Sequence, residues 1–485
     1  MTTKSKFFLW GVIVAAAVAV GAYFIFRGSP MAYLNALPQD AVALVRFDAK
    51  AILEEADLTQ EECSRLFQKL ANSDEENAQI GIDLSRPVYG FAAQKDNFGL
   101  LAAVSSEGDL TQWCERLAAK GHASEVLHQR GYSWVVLEQN WLMAFDHHKA
   151  LVMGPAVGEA QNQLRTVIAS LMDQDRENSA LETELYAALN TKDETLVAVL
   201  KPEILPDDVQ QSLQSLKLAA ATEGLYLLTL DTDDNEMELE AELVSEDEAV
   251  KKELQSVNDF LRPLTGDLAK YAQNNHAAWC AVNVQGDKVL KLLRSNPSVR
   301  TALIMLNMIV DADRMIQAID GDVVVELTTA KATPDSDGVN FNFDFQNANL
   351  LAQMANSDFL GDASAWGNSL WDVKALSATD FVVNMETPFY FGMKDKVFYL
   401  SGTKGLSAGN NDYLREKRSD IKGARFFATI NLAVVPLEPL TAWAQKFGDL
   451  ERLDMTMKQA GELSFKLKAA EGTNISHVLL QLLLE

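Results

Sequence analysis

AVALVRFD at residues 41–48 is followed directly by AKAILEEADL at residues 49–58, and together these segments indicate the fold class of the chain. The first part is a short apolar run that ends at Asp48, and it predicts a strand. The second part carries apolar residues at helical spacing and predicts a helix. Short strands that alternate with amphipathic helices in this way predict an α+β fold, in which an antiparallel sheet has helices on one face.

The same order of elements returns later in the chain. AAWCAVNV at residues 277–284 is followed by GDKVLKLLRS at residues 286–295, again a strand that passes into a helix. Five further pairs of segments keep this order: residues 81–91 and 318–325, 97–101 and 339–343, 141–154 and 388–400, 195–200 and 426–431, and 224–230 and 461–467. Helices are predicted after 97–101, at DLTQWCERLAAK, and after 339–343, at NANLLAQMAN (residues 347–356).

The paired segments lie about 237 residues apart throughout, but their residue identity is weak. The evidence for a duplication is therefore the preserved order and spacing. An α+β chain without a duplication gives a few such matches by chance. Six matches in order nevertheless favour two tandem copies, which we place at residues 36–265 and 266–485.

Residues 7–26, FFLWGVIVAAAVAVGAYFIF, are 20 consecutive residues without a charge. At about 1.5 Å per residue, a helix of this length spans roughly 30 Å, the hydrocarbon thickness of a bilayer. Lys4 and Lys6 precede the run, so the positive-inside bias favours a cytoplasmic stub at residues 1–6. We therefore predict a single-pass transmembrane signal-anchor, a linker at residues 27–35, and a body exported to the periplasm or cell-envelope space.

A cleaved secretory signal is the competing interpretation of this run. Signal peptides have an apolar core of about 7–15 residues, followed by a small-x-small cleavage site. Here Ala17-Val18-Ala19 lies inside the run, and Tyr23 to Phe26 continue it, which favours an uncleaved anchor. In either case the bulk of the chain is exported.

The charge of the chain argues against several classes of partner. There are 42 Lys and Arg against 68 Asp and Glu, which gives a net charge of −26. Nucleic-acid binding requires a basic surface, so we expect no nucleic-acid partner. The same charge argues against electrostatic adsorption of the chain to anionic lipid headgroups. Hydrophobic residues make up 48% of the chain, which is ample for packed cores.

Three cysteines, Cys63, Cys114 and Cys280, leave at least one thiol unpaired in an exported protein. A pairing between Cys63 and Cys114 is open, but both lie in helix-like segments, where buried free thiols are common. No CxxC spacing occurs, so neither a redox motif nor a structural zinc site is predicted.

Residues 35–48, NALPQDAVALVRFD, resemble the opening of a Bacteroidetes cell-envelope family, domain of unknown function 4836, in which a Pro-x-Asp-Ala turn enters an apolar strand that ends at Asp. GIDLSRPVY at residues 81–89 and IDGDV at residues 319–323 are similar to later landmarks of that family. Pro38 stops a helix from continuing into the strand, and Asp320-Gly321-Asp322 is predicted to form a tight turn before a strand.

The resemblance covers the chain from about residue 33 to its end. It implies an envelope protein of unknown activity and supplies no catalytic residues. Members that resemble lipoproteins carry an acylated cysteine, whereas this chain has the apolar run at residues 7–26. That difference changes the expected mode of anchoring and leaves the expected compartment unchanged.

Residues 231–242, DTDDNEMELEAE, imitate a calcium-binding loop, with acidic or amide side chains at positions 1, 3 and 5 and Glu at position 12. Position 6 is Glu236, where the sharp turn of such a loop requires glycine. The flanking residues alternate like strands. The segment is therefore predicted to be a hairpin with an acidic outer face, and no metal site is predicted there.

Other motifs that could indicate a metal-binding or catalytic site are also weak. Four histidines, His122, His128, His147 and His148, fall within one region, but no third ligand has metal-site spacing. Ser401-Gly402-Thr403-Lys404 matches the Ser-x-x-Lys nucleophile motif of penicillin-recognising enzymes, yet it follows a strand and no Lys-Thr-Gly element occurs. We therefore predict no catalytic, cofactor-binding or metal-binding residues and no cofactor.

Aromatic residues concentrate in the second copy, namely Trp366, Trp371, Phe381, Phe389, Tyr390 and Phe391, and aromatic residues in strands usually pack in cores. The sequence thus predicts a membrane-anchored envelope protein that is not an enzyme. Its body is expected to be a binding or scaffolding module for an envelope protein partner. The alternatives are a carrier or sensor of an apolar envelope ligand such as lipid, and a hydrolase with a dispersed site.

Overall fold

The computed structural model describes most of the chain beyond residue 31. The described ranges are 32–59, 79–94, 97–129, 131–204, 223–274, 276–295, 297–307, 311–328, 348–356, 372–384, 388–433 and 450–478, with positions 62, 68, 210, 334–335, 338–339, 360 and 386. The predicted anchor at residues 7–26 lies outside them. Within the described ranges, no helix combines the length and the apolar character needed to cross a bilayer.

The chain divides into two compact units. Unit 1 comprises Met1–Gln211, Leu225–Leu227 and Leu484, and unit 2 comprises Ser212–Gly224, Leu228–Leu483 and Glu485. Residues 228–265, which the predicted first copy includes, therefore belong to unit 2. Tyr33 and Leu34, in the predicted linker, are buried in a short 3-10 helix at Ala32–Ala36.

The eight strands described before residue 211 form one antiparallel sheet. Its strands are β1 (Ala43–Phe47), β2 (Val88–Gln94), β3 (Asn97–Ala103), β4 (Leu127–Gln129), β5 (Tyr132–Leu137), β6 (Trp141–Phe145), β7 (Lys149–Gly154) and β8 (Leu196–Leu200). The α-helices of unit 1 within the described residues are α1 (Ala49–Glu55), α2 (Glu107–Ala119), α3 (Glu159–Met172) and α4 (Glu184–Leu189). The strand order across the sheet is β8-β1-β2-β3-β7-β6-β5-β4.

Helix α2 shows how local sequence builds the core of unit 1. The Ser106 side chain accepts a hydrogen bond from the backbone N–H of Asp109 and caps the helix N-terminus. Leu110 and Cys114 are one turn apart, and both are fully buried against strands β5 to β7. Burial raises the pKa of the Cys114 thiol to about 12, so this residue behaves as a core side chain.

Strand β9 (Leu225–Asp233) leads into the strands that form the sheet of unit 2. These are β10 (Glu236–Val244), β11 (Ala278–Gln285), β12 (Ile319–Leu327), β15 (Ala348–Met354), β16 (Asp372–Ala375), β17 (Asp380–Asn384), β18 (Phe389–Lys394), β19 (Val397–Ser401), β20 (Phe426–Asn431), β21 (Leu450–Met457) and β22 (Glu462–Ala469). Strands β13 (Pro334–Asp335) and β14 (Gly338–Val339) form a separate small hairpin. In the part of unit 2 that the structure describes, the helices are α5 (Glu248–Phe260), α6 (Gly286–Ser295), α7 (Pro297–Asn307), α8 (Ala312–Gln317), α9 (Asp412–Glu416) and α10 (Arg418–Ile421), with a 3-10 helix at Asp267–Tyr271.

The strand order in unit 2 is β16-β17-β18-β19-β15-β12-β11-β20-β21-β22-β10, and β9 pairs with β10. The pairings from β16 to β10 are all antiparallel. The expected α+β class with a mostly antiparallel sheet is thus confirmed.

Helical residues pack on both faces of this sheet, so the expectation of helices on one face is wrong for unit 2. Trp279 and Leu414 belong to a core on one face, which also takes in α10 and the 3-10 helix. Ala318 and the partly buried Met315 of α8 belong to a second core on the other face. Val324 of β12 is part of the first core, whereas its neighbour Val323 packs against the second.

Two local predictions are also wrong. NANLLAQMAN was expected to be a helix, but Ala348–Met354 forms strand β15. A strand buried on both faces loses the alternation of apolar and polar residues that distinguishes it from a helix. Asp320-Gly321-Asp322 was expected to be a turn, but these residues lie inside β12, where the register shifts between Ile319 and Val323 as in a β-bulge.

Candidate functional site

One face of the sheet in unit 2 carries a row of mostly polar side chains across eight neighbouring strands. Residues directly opposite each other in a ladder point to the same face, so the pairing register defines the row. From β10 to β19 its members are Glu238, Lys466, Asp454, Thr429, Trp279, Glu326, Asn349 and Ser401. Buried polar groups cost free energy unless they are hydrogen-bonded. The hydrogen-bond partners of these side chains therefore determine whether the row stabilises the fold.

Glu326 receives donors from two directions. The backbone N–H of Gln273 donates to Oε1 at 2.7 Å, and Nδ2 of Asn349 donates to Oε2 at 2.8 Å. The Ser401 hydroxyl in turn donates to Oδ1 of Asn349 at 2.6 Å. Burial raises the pKa of the Glu326 carboxyl, and the two donors oppose that rise. This carboxyl therefore fixes the segment that leads into β11.

His276 is fully buried in that segment. Its Nδ1 lies 3.2 Å from the carbonyl oxygen of Gln273, and Nη1 of Arg452 lies 3.2 Å from its Nε2. Nδ2 of Asn411 contacts the same Nδ1 and donates to the Gln273 carbonyl at 2.7 Å. Burial lowers the pKa of His276, and the neighbouring Arg452 guanidinium lowers it further. A neutral ring that accepts at Nε2 from Arg452 and donates from Nδ1 to the Gln273 carbonyl fits the contacts with these two residues.

Arg452, Tyr413 and Asp454 form the adjoining part of the cluster. The Arg452 guanidinium lies 3.9 Å from the centre of the Tyr413 ring, a cation–π arrangement. The Tyr413 hydroxyl donates to Oδ2 of Asp454. Burial raises the pKa of Tyr413, and the Asp454 carboxylate raises it further, so the hydroxyl stays protonated. We call His276, Asn411, Tyr413, Arg452 and Asp454 the His276 cluster.

Two buried oxygens beside the cluster have no hydrogen-bond partner among the described residues. They are Oδ1 of Asp454 and Oγ1 of Thr429, and these residues are directly opposite each other on β21 and β20. Thr429 is fully buried, and Asp454 is 7% exposed. A water molecule that donates to the carboxylate and bonds to the hydroxyl would satisfy both groups.

The geometry of these buried polar groups suits a structural hydrogen-bond network better than catalysis. Both ring nitrogens of His276 are engaged, so the imidazole has no free position for proton transfer. The Ser401 hydroxyl is committed to Asn349 and is buried. Among the described residues, no group of three or more His, Cys, Asp or Glu side chains has the placement to hold a metal ion.

A second polar group ties another loop to the same sheet. The carboxylate of Asp322, which is 1% exposed, accepts from Thr265 through the backbone N–H and the hydroxyl, and from the backbone N–H of Gly266. Nδ2 of Asn283 donates to its Oδ1 at 2.9 Å. Nε of Arg262 donates to Oδ1 of Asn283, which extends the network along the loop.

The motifs noted in the sequence do not converge on either group. Residues 231–242 form the β9–β10 hairpin that was expected, with Asp234 at positive φ in the turn. His147 and His148 lie in the turn between β6 and β7, with ring centres 3.8 Å apart. His122 pairs with Glu138 at 2.7 Å, and His128 bonds to Ser133 at 2.7 Å. These histidines therefore have separate partners.

The aromatic residues and the cysteines also have separate places. Phe381 and Phe391 stack at 5.2 Å in the second core of unit 2. Trp366, Trp371 and Cys63 lie outside the described residues. Cys114 and Cys280 are free thiols, and Cys280 lies in β11.

The sequence did not identify His276, Tyr413, Arg452 and Asp454 as a group. The available signal is the strand LERLDMTM, in which Arg452 and Asp454 alternate with apolar residues and so share one face. Their partners are distant in the chain, since 176 residues separate His276 from Arg452. Only the fold brings these side chains together.

The family described as domain of unknown function (DUF4836) matches residues 33–466. Among curated proteins, none matches the chain. Crystal forms I and III of TP0453 are similar to part of the chain, with sequence identities of 11% and 12% and a TM-score of 0.28 each. Each match covers 47% of this chain, and 86% or 88% of TP0453. A TM-score this low carries no argument about fold or function.

Proposed function

Since the chain belongs to the family of domain of unknown function 4836, whose description assigns no activity, we propose that it is a membrane-anchored cell-envelope protein with a non-catalytic binding or scaffolding body. One observation carries the non-catalytic part. In unit 2, His276, Arg452, Tyr413 and Asp454 contact one another, and two further carboxylates hold loops on the sheet. Asp322 accepts hydrogen bonds from the loop at Thr265, and Glu326 accepts one from the segment at Gln273.

The anchor part of the proposal rests on the apolar run at residues 7–26. Its length matches the thickness of a bilayer core, and Lys4 and Lys6 favour a cytoplasmic N-terminus. The body then faces the periplasm or cell-envelope space. A body in that compartment would meet envelope proteins, so the proposed partner is an envelope protein. The net charge of −26 disfavours nucleic acid.

We further propose that the two units descend from a duplication. The order β8-β1-β2-β3-β7-β6-β5-β4 in unit 1 parallels β20-β11-β12-β15-β19-β18-β17-β16 in unit 2. Each β1 equivalent leads into a helix, α1 or α6. This common order supports two tandem copies more strongly than weak residue identity does.

Crosslinking in intact cells tests the binding body. The tagged full-length chain is crosslinked in its native host, extracted with detergent and analysed by mass spectrometry. A reproducible envelope protein partner is expected. Lipid bound to the protein without a protein partner would favour the apolar-ligand alternative, and a defined turnover by the purified chain would contradict the proposal.

The anchor is tested by placing two charges in the apolar run. Ala16→Arg with Val18→Arg is expected to abolish membrane retention after carbonate extraction, because each arginine at a helix centre costs about 2.5–3.5 kcal/mol of insertion free energy. Thr3→Arg with Ser5→Arg adds the same charges outside the run and is expected to leave retention unchanged. A soluble wild-type chain would contradict the anchor.

A further inference from the structure

Helices α6 and α7, which follow β11, expose large apolar side chains. Leu292 of α6 is 56% exposed, and Ile304 and Met305 of α7 are 58% and 59% exposed. The opposite faces of the helices pack against the rest of the protein, since Leu290 is 2% and Leu303 is 8% exposed. Three large apolar side chains that are more than half exposed on two packed helices mark a surface for interaction.

Basic side chains accompany these apolar residues. Lys288 lies one helical turn before Leu292, and Arg300 lies one turn before Ile304, so each cation shares an exposed face with an apolar side chain. Lys291, which precedes Leu292 in α6, is also exposed, and neither it nor Arg300 has an ion-pair partner among the described residues. Long basic side chains lie along apolar surface and extend their charge outward.

The local charge differs in sign from that of the whole chain. Residues 286–317 contain five Lys and Arg and three Asp, whereas the chain carries −26. Arg294 and Asp313 pair with each other, and Asp311 caps α8. Because salt screens charges beyond roughly 8 Å at physiological ionic strength, a surface in contact with α6 and α7 senses mainly the charges on these helices, whose sum is positive.

We propose that this face of α6 and α7, which we call the α6–α7 face, docks at the headgroup interface of a bilayer that contains anionic lipid. Leu292, Ile304 and Met305 enter the interface, while Lys291 and Arg300 contact the lipid phosphates. The proposal rests on the proposed membrane location of the chain. It adds a second contact that orients unit 2 on the membrane.

A second copy of the chain or a protein partner fits this face less well. Two copies would place Lys291 and Arg300 of each against the same cations of the other. Three exposed apolar side chains are also a small part of the roughly 800 Å² that each partner buries in a stable protein interface. A bilayer needs no such area, since each apolar side chain that enters it contributes separately.

A fluorophore that reports its environment tests the docking in the full-length chain. It is attached at Ile304→Cys in a background with Cys63→Ser and Cys280→Ala, and the chain is reconstituted in vesicles of phosphatidylcholine and phosphatidylglycerol. We expect a blue-shifted emission that nitroxide-labelled lipids quench. Val157→Cys, at a residue 69% exposed in unit 1, is the matched control and is expected to remain in water.

Charge removal tests the lipid class. Lys291→Gln with Arg300→Gln is expected to lower the ratio of docked to undocked α6–α7 face roughly 25-fold, about fivefold for each cation. Vesicles of phosphatidylcholine alone are expected to give a similar loss. Equal docking on both kinds of vesicle would overturn the anionic-lipid assignment.

The outcomes separate this inference from the proposed function. If the chain floats with vesicles but the label at residue 304 remains in water, the inference fails and the anchor stands. If the chain does not float, both fail. If the label is shielded without lipid and sedimentation shows a larger species, a second copy covers the face and the inference fails.

Discussion

Asp322 illustrates how single buried residues hold unit 2 together. Its carboxylate is 1% exposed and accepts hydrogen bonds from the backbone of Thr265 and Gly266 and from the side chain of Asn283. Those donors belong to segments distant from Asp322 in the chain. Loss of the carboxylate would leave several of them without a partner in a buried environment.

Asp322→Ala is therefore expected to lower the free energy of unfolding by about 3 kcal/mol, measured by urea denaturation. Asp320→Ala, on the same strand, is the control. Asp320 is half exposed and pairs with Arg262 at 2.9 Å, so its loss is expected to cost less than about 1 kcal/mol. Equal losses of unfolding free energy in the two variants would contradict this role of Asp322.

His276 couples stability to pH. Burial and Arg452 lower its pKa below the ordinary value of 6.5, so the folded state binds fewer protons than the unfolded state. The stability that the neutral ring contributes is present above pH 6.5 and is lost as pH falls through the range between the two pKa values. The slope cannot exceed about 1.4 kcal/mol per pH unit for one group.

The measurement compares the unfolding free energy of the wild type and His276→Gln between pH 7.5 and pH 5, in the range expected from the ordinary histidine pKa of about 6.5. The wild type is expected to lose more stability on acidification. Other charges near the ring, on Arg452, Asp454 and Glu326, are present in both proteins. The raised pKa of Glu326 changes the unfolding free energy with pH in the opposite direction. Because Glu326 is present in both proteins, its effect cancels in the comparison. Parallel pH profiles would contradict this role of His276.

Strand β12 shows what decides conformation at the scale of an element. Gly321 has a φ of +145° at the bulge, and a Cβ there would lie 2.7 Å from Cβ of Gln353 and still closer to its Oε1. The backbone N–H of Asp322 donates to that Oε1 at 2.8 Å. Glycine is required here because any other residue would be strained at this φ and its Cβ would collide with the Gln353 side chain.

Gly321→Ala is expected to lower the free energy of unfolding by roughly 1–3 kcal/mol because of backbone strain and this close approach. Gly108→Ala in α2 is a matched control, since the nearest atom to its added Cβ is Oγ of Ser106 at 4.0 Å. That substitution is expected to stabilise by up to about 1 kcal/mol, because alanine has the higher helix propensity. Thermal unfolding of both variants would distinguish the two sites.

At the scale of the whole molecule, unit 2 requires residues before the predicted second copy. Strand β10 pairs with β22 from Glu236↔Lys468 to Glu242↔Glu462. Helix α5 contributes the fully buried Val250, and Asn258 accepts the backbone N–H of Ala460 at 2.9 Å. These contacts join segments more than 200 residues apart in the sequence.

A fragment of residues 223–485 is accordingly expected to unfold cooperatively, whereas a fragment of residues 266–485 is expected to aggregate or remain unfolded. Without β10, the edge of β22 exposes unpaired backbone groups, and the half-buried Lys466 loses its pairing with Glu238. Circular dichroism with urea and size-exclusion chromatography would compare the two. A cooperative, monomeric short fragment would contradict this requirement.

Local sequence patterns account for the α+β class and for many elements, including the pairs β1–α1 and β11–α6 and the β9–β10 hairpin. They do so because the periods of helices and strands and the residues of turns act over short distances. The tertiary structure alone decided that β15 is a strand, since two cores bury both of its faces and remove the alternation that marks strands. It also decided the partner of β10 and the His276 cluster. Those contacts join residues far apart in the chain, where no local pattern records which distant donor will meet which acceptor.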